Sequence, residues 1–324
     1  MNTGLLFPGQ GSQKPGMLHD LVRHRAVEES LREMSDILGQ DVRELDSEEA
    51  LRSPVAVQLA LLAAGAGTAR ALIESGLEPV AVAGLSVGAF SAAVAAEAIP
   101  LLDAVHLVRS RAEQMEKLYP VGYGLAAIVG LNEPQTAKLV ASVNSKERPV
   151  FVANINAPRQ IVIAGEIQGI REVLCLALGS GARKAELLSV ATPSHCLLLQ
   201  PVADSLHAQL QSMNVRDPKC VYISNVSARV VRTAAGIAKD LADNIAHGVC
   251  WHEATSVAQE LGCELFLEAP PGRVLTDLAR DNLDRMQAWP VTPGDARTFA
   301  EAGALRQMPD TLPRVGLHRD GPQQ

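Results

Sequence analysis

A serine between two glycines is the feature of this sequence best suited to covalent chemistry. Residues 84–88 read Gly-Leu-Ser-Val-Gly and follow a run of small apolar residues. Where a strand turns sharply into a helix, the residues on either side of the corner crowd together, and glycines relieve that crowding. Such a turn exposes the oxygen of Ser86 and lets the N–H of Val87 face an anion. The pattern indicates acyl transfer through Ser86, and an ordinary serine at a helix start is the alternative.

A base must accompany such a serine, because an isolated hydroxyl is a poor nucleophile at neutral pH. Three histidines compete for this role, His195, His247 and His252. Their spacing cannot choose among them, since α/β folds bring distant loops together. His195 has the most favourable local setting, between a predicted strand and a predicted helix. From the residues alone, the choice stays open.

Two further polar residues lie on helices that are predicted to be largely apolar. Arg111 lies at the margin of the apolar stripe of a helix predicted over 101–118. A guanidinium there either binds an anion or covers the helix edge with its stem while its charge stays in water, and both alternatives remain open. Gln58 lies in a helix predicted over 54–75. A buried amide needs partners, so Gln58 either satisfies the core or faces a site, and its spacing favours the core.

A glycine-rich turn follows the first predicted strand. The strand covers residues 5–7, and residues 8–13 read Pro-Gly-Gln-Gly-Ser-Gln. Such a turn often lines a site at the carboxyl edge of a parallel sheet. It lacks the G-K-[ST] ending of a phosphate loop and the third glycine of a dinucleotide fingerprint. Taken alone, a plain strand-to-helix turn is the favoured interpretation.

The order of the predicted elements indicates a small domain inserted into a larger one. Residues 120–190 read as β-α-β-β-α-β, the order of a ferredoxin-like unit. The segments 1–119 and 191–285 are predicted to form one large α/β domain with a parallel sheet. Residues 286–324 are proline-rich and polar, which predicts a peripheral tail.

Composition restricts the class of protein. The chain has 324 residues, of which 47% are hydrophobic, and a net charge of −7 without a basic cluster, which argues against a nucleic-acid partner. Residues 55–66 are the strongest apolar run and are interpreted as too short for a membrane span. The start of the chain lacks the basic region of a signal peptide. Five scattered cysteines, with no C-x-x-C pair, predict reduced thiols in a cytoplasmic protein without a zinc site.

Several motifs together resemble the malonyl-CoA:acyl-carrier-protein transacylase family. They run in order over about residues 1–280 and comprise Phe-Pro-Gly-Gln-Gly-Ser-Gln at 7–13, the elbow at 84–88, Arg111 ahead of Gln114 and Met115, Ala-Asn-Ile-Asn-Ala-Pro at 153–158, Pro-Ser-His at 193–195 and Pro-Gly-Arg-Val-Leu at 271–275. The fold that this resemblance implies is a hydrolase-like α/β domain carrying a ferredoxin-like insert. It agrees with the fold that the element order predicts independently.

The resemblance implies catalytic roles for four residues. Ser86 matches the nucleophile of the family, and His195 matches its general base, which resolves the choice among the histidines. The backbone N–H groups of Gln10 and Val87 match the oxyanion hole. The family orients its histidine through the stretch before a tryptophan, often through a backbone carbonyl, and that stretch is 249–251 here.

The resemblance also implies the substrates. Arg111 matches the arginine that binds the free carboxylate of a malonyl group, and Gln58 and Asn154 match polar residues near that site. The implied reaction moves the malonyl group from malonyl-CoA to the phosphopantetheine-type thiol of an acyl-carrier protein, through an acyl-serine. No metal or redox cofactor is implied.

Two stretches, 84–90 and 119–124, are more similar to one branch of the family, the epsilon subunit of bacterial malonate decarboxylase. This similarity implies that the chain loads the carrier subunit of the decarboxylase and has the other decarboxylase subunits as partners. A transacylase of fatty-acid or polyketide synthesis is the alternative, and a serine thioesterase or esterase is a third possibility. Leu85 stands where the family elbow usually has a histidine, and a leucine cannot donate a hydrogen bond to the acyl group.

Overall fold

The computed structural model describes residues 1–119, 121–190 and 192–292. The strands in these ranges are β1 (Thr3–Phe7), β2 (Ala81–Gly84), β3 (Tyr123–Val129), β4 (Val150–Ala157), β5 (Gln160–Glu166), β6 (Lys184–Leu187), β7 (Val221–Ile223), β8 (Val230–Val231), β9 (Leu265–Glu268) and β10 (Gln287–Pro290). The α-helices are α1 (Arg25–Leu38), α2 (Pro54–Glu74), α3 (Gly88–Ala95), α4 (Leu101–Leu118), α5 (Glu133–Val143), α6 (Ile167–Gly179), α7 (Gln200–Gln211), α8 (Ala234–Asp243), α9 (Trp251–Glu260) and α10 (Val274–Asn282).

The larger sheet has six strands in the order β10-β9-β1-β2-β7-β8. Its first five strands are parallel, and β8 pairs antiparallel with β7. Strands β1 and β2 are neighbours, with Phe7 opposite Gly84 at their carboxyl ends. The glycine-rich turn after β1 and the turn that carries Ser86 therefore leave the sheet side by side, where parallel sheets place their sites.

The smaller sheet has four strands in the order β4-β5-β3-β6, with every pairing antiparallel. With α5 and α6 this is the ferredoxin-like arrangement, so the predicted fold class is confirmed. Successive residues of β3 face opposite sides, as in any strand. Ala126 and Ile128 pack against the helices, whereas Leu125 and Ala127 line the cavity described below. The smaller sheet thus supplies one wall of the site.

Helix α2 is the central helix of the larger core. It is long and apolar enough to cross a membrane by length and composition, but 89% of its most apolar window is buried inside the protein. The helix predicted over 54–75 is confirmed, and the interpretation of the apolar run as too short for a span is wrong because the apolar stretch continues beyond residue 66. At Gly65 the helix meets α3 so closely that a Cβ atom would lie 2.6 Å from Oγ of Ser91.

Strand β10 corrects the prediction of a tail that begins at residue 286. Its four residues pair in parallel with β9, and Ala288 is 1% exposed. The sequence did not indicate this strand because it is short and ends in proline, which is tolerated at a sheet edge. The remainder of the predicted tail, 293–324, lies outside the described residues, as do Pro120 and Ala191 at the predicted ends of the insert.

Candidate active site

The strand, tight turn and helix predicted around Ser86 are present as β2, the turn and α3. Ser86 has a φ of 56°, in the left-handed region that non-glycine residues seldom adopt. The flanking glycines are required by space. A Cβ on Gly84 would lie 2.1 Å from the carbonyl carbon of Gly88, and one on Gly88 would lie 2.2 Å from the carbonyl oxygen of Phe7. The crowding inferred from the sequence is therefore the actual reason for both glycines.

His195 is the histidine that the fold brings to Ser86. Its Nε2 lies 2.8 Å from Oγ of Ser86, and its Nδ1 lies 2.5 Å from the backbone oxygen of Asn244. A carbonyl can only accept, so Nδ1 carries the proton and donates it to Asn244. Nε2 is then free to accept the hydroxyl proton of Ser86, as in a serine triad whose third member is a backbone carbonyl.

The carbonyl that orients His195 differs from the one expected. The sequence pointed to residues 249–251, but the carbonyl oxygen of Val249 accepts from the N–H of Ile155 at 2.8 Å. That stretch joins the larger domain to β4 instead. Asn244 follows the last residue of α8, where helix carbonyls lack partners within the helix. Its carbonyl is therefore available to His195.

The two other candidate histidines lie away from Ser86. His247 is half-buried and its Nδ1 lies 3.0 Å from the backbone oxygen of Asp243. His252 lies within α9, and neither histidine lines the cavity that contains Ser86. Spatial placement therefore selects His195, in agreement with the resemblance.

Arg111 is a buried cation beside the serine. It is 1% exposed, its Nη2 donates to Oγ of Ser86 at 3.1 Å, and its Nη1 donates to Oε1 of Gln58 at 2.5 Å. No carboxylate of the described residues lies within ion-pair distance of Arg111, and its Nε has no hydrogen-bond partner there. Burial lowers the pKa of Arg111 to about 9. Because such a cation is costly to bury alone, the site is built to receive an anion.

The same surroundings keep His195 neutral. Burial and, to a smaller extent, the nearby charge of Arg111 lower its pKa to about 3, although the backbone bond to Asn244 opposes the shift. A neutral imidazole is the form that can take a proton from Ser86.

Gln10 and Val87 lie where the two turns meet. Gly9 packs against the elbow so closely that a Cβ there would lie 2.7 Å from the carbonyl oxygen of Leu85. Val87 is the residue immediately before α3, and Gln10 lines the cavity. The hydrogen bonds among the described residues include none donated by the backbone N–H of Gln10 or Val87. Both N–H groups therefore lack an acceptor among the described residues.

A cavity of about 220 Å³ joins these groups. One wall carries Ser86, His195 and Arg111, and the opposite wall comes from the smaller sheet. That second wall is largely apolar, and its polar members include Asn154, which is 7% exposed. The structure therefore gathers Ser86, His195, Arg111 and Asn154 around one space, and Gln58 lies directly behind Arg111.

Sequence reasoning did not single out Asn225 or Asn244. Oδ1 of Asn225 accepts a hydrogen bond from the N–H of Ser86 at 2.9 Å. Asn225 lies two residues after the end of β7, the neighbour of β2, so an asparagine at the carboxyl end of a predicted strand was an available signal. Asn244 acts through its backbone carbonyl, which no residue type reveals.

Comparisons with known proteins show the family to which the chain belongs. The model of the acyl transferase domain family matches residues 5–305. A malonyl CoA-acyl carrier protein transacylase of Salmonella typhimurium is 34% identical over 290 residues, covering 87% of this chain and 93% of the relative. The crystal structure of an acyl-carrier-protein S-malonyltransferase from Burkholderia pseudomallei superposes with a TM-score of 0.87 at 36% identity, covering 93% of this chain and 99% of that one. A type II PKS acyl-carrier protein has been solved in complex with its malonyl-transacylase, and that structure matches with a TM-score of 0.87 at 33% identity, over 93% and 99% of the two chains.

Proposed function

Since the chain belongs to the acyl transferase domain family, we propose that it transfers a malonyl group from malonyl-CoA to an acyl-carrier protein through an acyl-Ser86 intermediate. Its relatives make it an acyltransferase of the S-malonyltransferase type. The choice of a malonyl group as the substrate rests on Arg111. This residue is buried beside Ser86 and has no carboxylate partner among the described residues.

A malonyl thioester supplies the missing anion. Its free carboxylate can accept two parallel N–H bonds from a guanidinium, and such charge-assisted pairs are stronger than neutral ones. Arg111 lies on α4 with its Nη1 fixed by Gln58, so its orientation is set before substrate arrives. An acetyl group would leave this cation buried and unpaired.

Acylation begins with the hydrogen bond already present between Ser86 and His195. His195 removes the proton as Oγ of Ser86 attacks the thioester carbonyl. The negative charge that forms on the carbonyl oxygen is held by the N–H groups of Gln10 and Val87. When the tetrahedral intermediate collapses, the C–S bond breaks and CoA leaves as a thiol with the proton from His195.

Transfer to the acceptor repeats these steps in reverse. The phosphopantetheine-type thiol of the carrier gives its proton to His195, and its sulfur attacks the acyl-serine. The ester bond breaks, Ser86 recovers the proton from His195, and the malonyl thioester of the carrier leaves. Side chains and backbone groups complete the whole cycle, so the proposal requires no metal or redox cofactor.

The identity of the carrier distinguishes the two branches of the family. The named relatives are malonyl CoA-acyl carrier protein transacylases, which supports the alternative stated above, a transacylase of fatty-acid or polyketide synthesis. Loading of a malonate decarboxylase carrier stays a prediction from residues 84–90 and 119–124.

The first experiment is the intact mass of the protein after brief mixing with malonyl-CoA, beside the Ser86→Ala variant. We expect one malonyl adduct on the parent and none on the variant. Steady release of CoA without an adduct or an acylated carrier would indicate a hydrolase instead. Absence of both an adduct and CoA release would contradict the proposed activity.

A chase of the adduct then identifies the acceptor. The acyl-enzyme is mixed in parallel with a fatty-acid carrier and with a malonate decarboxylase carrier, each bearing its thiol. The relatives lead us to expect faster transfer to the fatty-acid carrier. Faster transfer to the decarboxylase carrier would restore the branch that residues 84–90 and 119–124 resemble.

A further inference from the structure

A buried carboxylate lies behind the active site, outside the cavity. Asp240 belongs to α8 and is 4% exposed. It accepts hydrogen bonds from Oη of Tyr222 at 2.7 Å, from Oγ of Ser224 at 2.5 Å, and from the N–H groups of Asn225 and Val226 at 3.2 and 3.3 Å. No cationic side chain of the described residues lies within ion-pair distance. The carboxylate therefore accepts its hydrogen bonds from β7 and the turn that follows it.

That turn holds Ser86 through Asn225. The N–H of Asn225 donates to the carboxylate of Asp240, and the carbonyl oxygen of Asn225 accepts from the N–H of Cys250 at 2.8 Å. With both backbone groups fixed, Oδ1 of Asn225 accepts from the N–H of Ser86 at 2.9 Å. The φ of 56° at Ser86 needs such support, because the surrounding structure must hold a residue in this region.

A second connection runs from Asp240 to the histidine. The backbone oxygen of Asp240 accepts from the N–H of Asn244 at 3.0 Å at the end of α8. The carbonyl oxygen of Asn244 in turn accepts from Nδ1 of His195. This bond belongs to the backbone of α8 and holds Asn244 whatever the side chain at position 240, so the carboxylate itself acts on the Asn225 side.

We propose that the carboxylate of Asp240 makes it a positioning residue that sets the geometry between Oγ of Ser86 and Nε2 of His195, acting through Asn225. This inference rests on the proposed function. The positioning role of Asp240 requires two acceptor oxygens, since each carboxylate oxygen accepts from one hydroxyl and one backbone N–H. The amide of an asparagine would turn its NH₂ group toward one of those pairs. A hydroxyl can rotate to accept from it, but the N–H of Asn225 or Val226 cannot, so the turn must shift.

The test is the pre-steady-state acylation of the Asp240→Asn variant by malonyl-CoA, followed by rapid quench and intact mass. The amplitude of the adduct reports the folded, competent fraction, and the rate constant reports the geometry of each competent site. We expect the rate constant to fall about tenfold or more, because small misplacements of reacting groups have large effects. The malonyl-CoA concentration for half-maximal rate should change less than about threefold, since Arg111 is oriented by Gln58 and, among the described residues, has no hydrogen bond to Asp240 or Asn225.

The matched control is Tyr222→Phe, which removes one donor to the same carboxylate and keeps the bond from Asn225. We expect its acylation rate constant to stay within about twofold of the parent value, since backbone bonds position the turn. A reduced amplitude with a parental rate constant in Asp240→Asn would show a merely structural carboxylate and overturn the proposal. If the parent itself forms no adduct, the proposed function fails instead.

Asn225→Ala gives an independent test if Asp240→Asn does not fold. It removes the acceptor for the N–H of Ser86, and we expect a fall in the rate constant of about tenfold or more. A rate constant within about twofold of the parent would overturn the path through Asn225. Where both variants fold, the double variant should be little slower than Asn225→Ala alone, whereas fully additive losses would contradict a shared path.

Discussion

The guanidinium of Arg111 donates a hydrogen bond to Oγ of Ser86 across 3.1 Å, so the cation and the nucleophile are in direct contact. The same cation helps to keep the pKa of His195 low, at about 3. One buried charge therefore acts on the serine oxygen and on the base, and in the proposed function it also binds the carboxylate of the acyl group. This relationship makes Arg111 the most informative residue to change.

Replacing Arg111 by alanine should reduce malonyl transfer far more than acetyl transfer. Hydrogen bonds to charged groups contribute roughly 1.5–3 kcal/mol each, so losing a bidentate pair should lower kcat/KM for malonyl-CoA by about a hundredfold or more. The measurement is the ratio of kcat/KM values for malonyl-CoA and acetyl-CoA. Arg109→Ala is the matched control, because Arg109 lies on the same helix, is exposed and pairs with Glu113 at 2.8 Å. Equal losses for both acyl groups would show that Arg111 does not bind the carboxylate.

A carboxylate placed beside Arg111 should compete with the substrate. Gln58 is fully buried, and its Oε1 already accepts from Arg111, so Gln58→Glu puts a negative charge on that cation. We expect the fold to be retained because the new ion pair is satisfied. We also expect KM for malonyl-CoA to rise about tenfold or more while acetyl transfer is affected less. Unchanged malonyl selectivity in a steady-state assay would contradict the assignment of Arg111 as the anion site.

The pH dependence should separate the same two acyl groups. Arg111 carries its charge below its pKa of about 9 and loses it above, so kcat/KM for malonyl-CoA should fall as the pH rises past that value. The value for acetyl-CoA should not show this fall, and an enzyme-free sample corrects for alkaline hydrolysis of the thioester. His195, with a pKa of about 3, is neutral above that pH, so no loss centred near pH 6.5 is expected on the acid side. An acid limb near pH 6.5 would show that His195 titrates as an exposed histidine does.

The turn that carries Ser86 and the order of the secondary-structure elements were predictable because both produce clear local patterns in the sequence. A Cβ atom at position 84 or 88 would lie about 2 Å from backbone atoms, so only glycine fits at these positions. The alternation of strands and helices in the insert follows from hydrophobic periodicity. In both cases a local rule and the global fold point to the same structure.

The rest of the site depends on contacts between distant segments. His195 is oriented by a backbone carbonyl of Asn244, 49 positions away, and every residue type has such a carbonyl. Asn225 supports Ser86 from 139 positions away. The tail boundary at 286 failed for a related reason, since β10 is defined by its pairing with β9 more than by its own pattern. Such relationships become visible only when the sheet is assembled.

Two glycines in α2 should respond in opposite ways to the same substitution. A Cβ at Gly67 would meet its nearest neighbour at 3.6 Å, an ordinary contact, so Gly67→Ala should stabilise the protein by up to about 1 kcal/mol through helix propensity. A Cβ at Gly65 would lie 2.6 Å from Oγ of Ser91 on α3, so Gly65→Ala must push α2 and α3 apart and should destabilise it. Because α3 begins at the elbow and α2 carries Gln58, only Gly65→Ala should also slow acylation of Ser86. Denaturant midpoints and acylation rate constants of the two variants test this, and a stabilising Gly65→Ala would show that the close approach of α2 and α3 is not required.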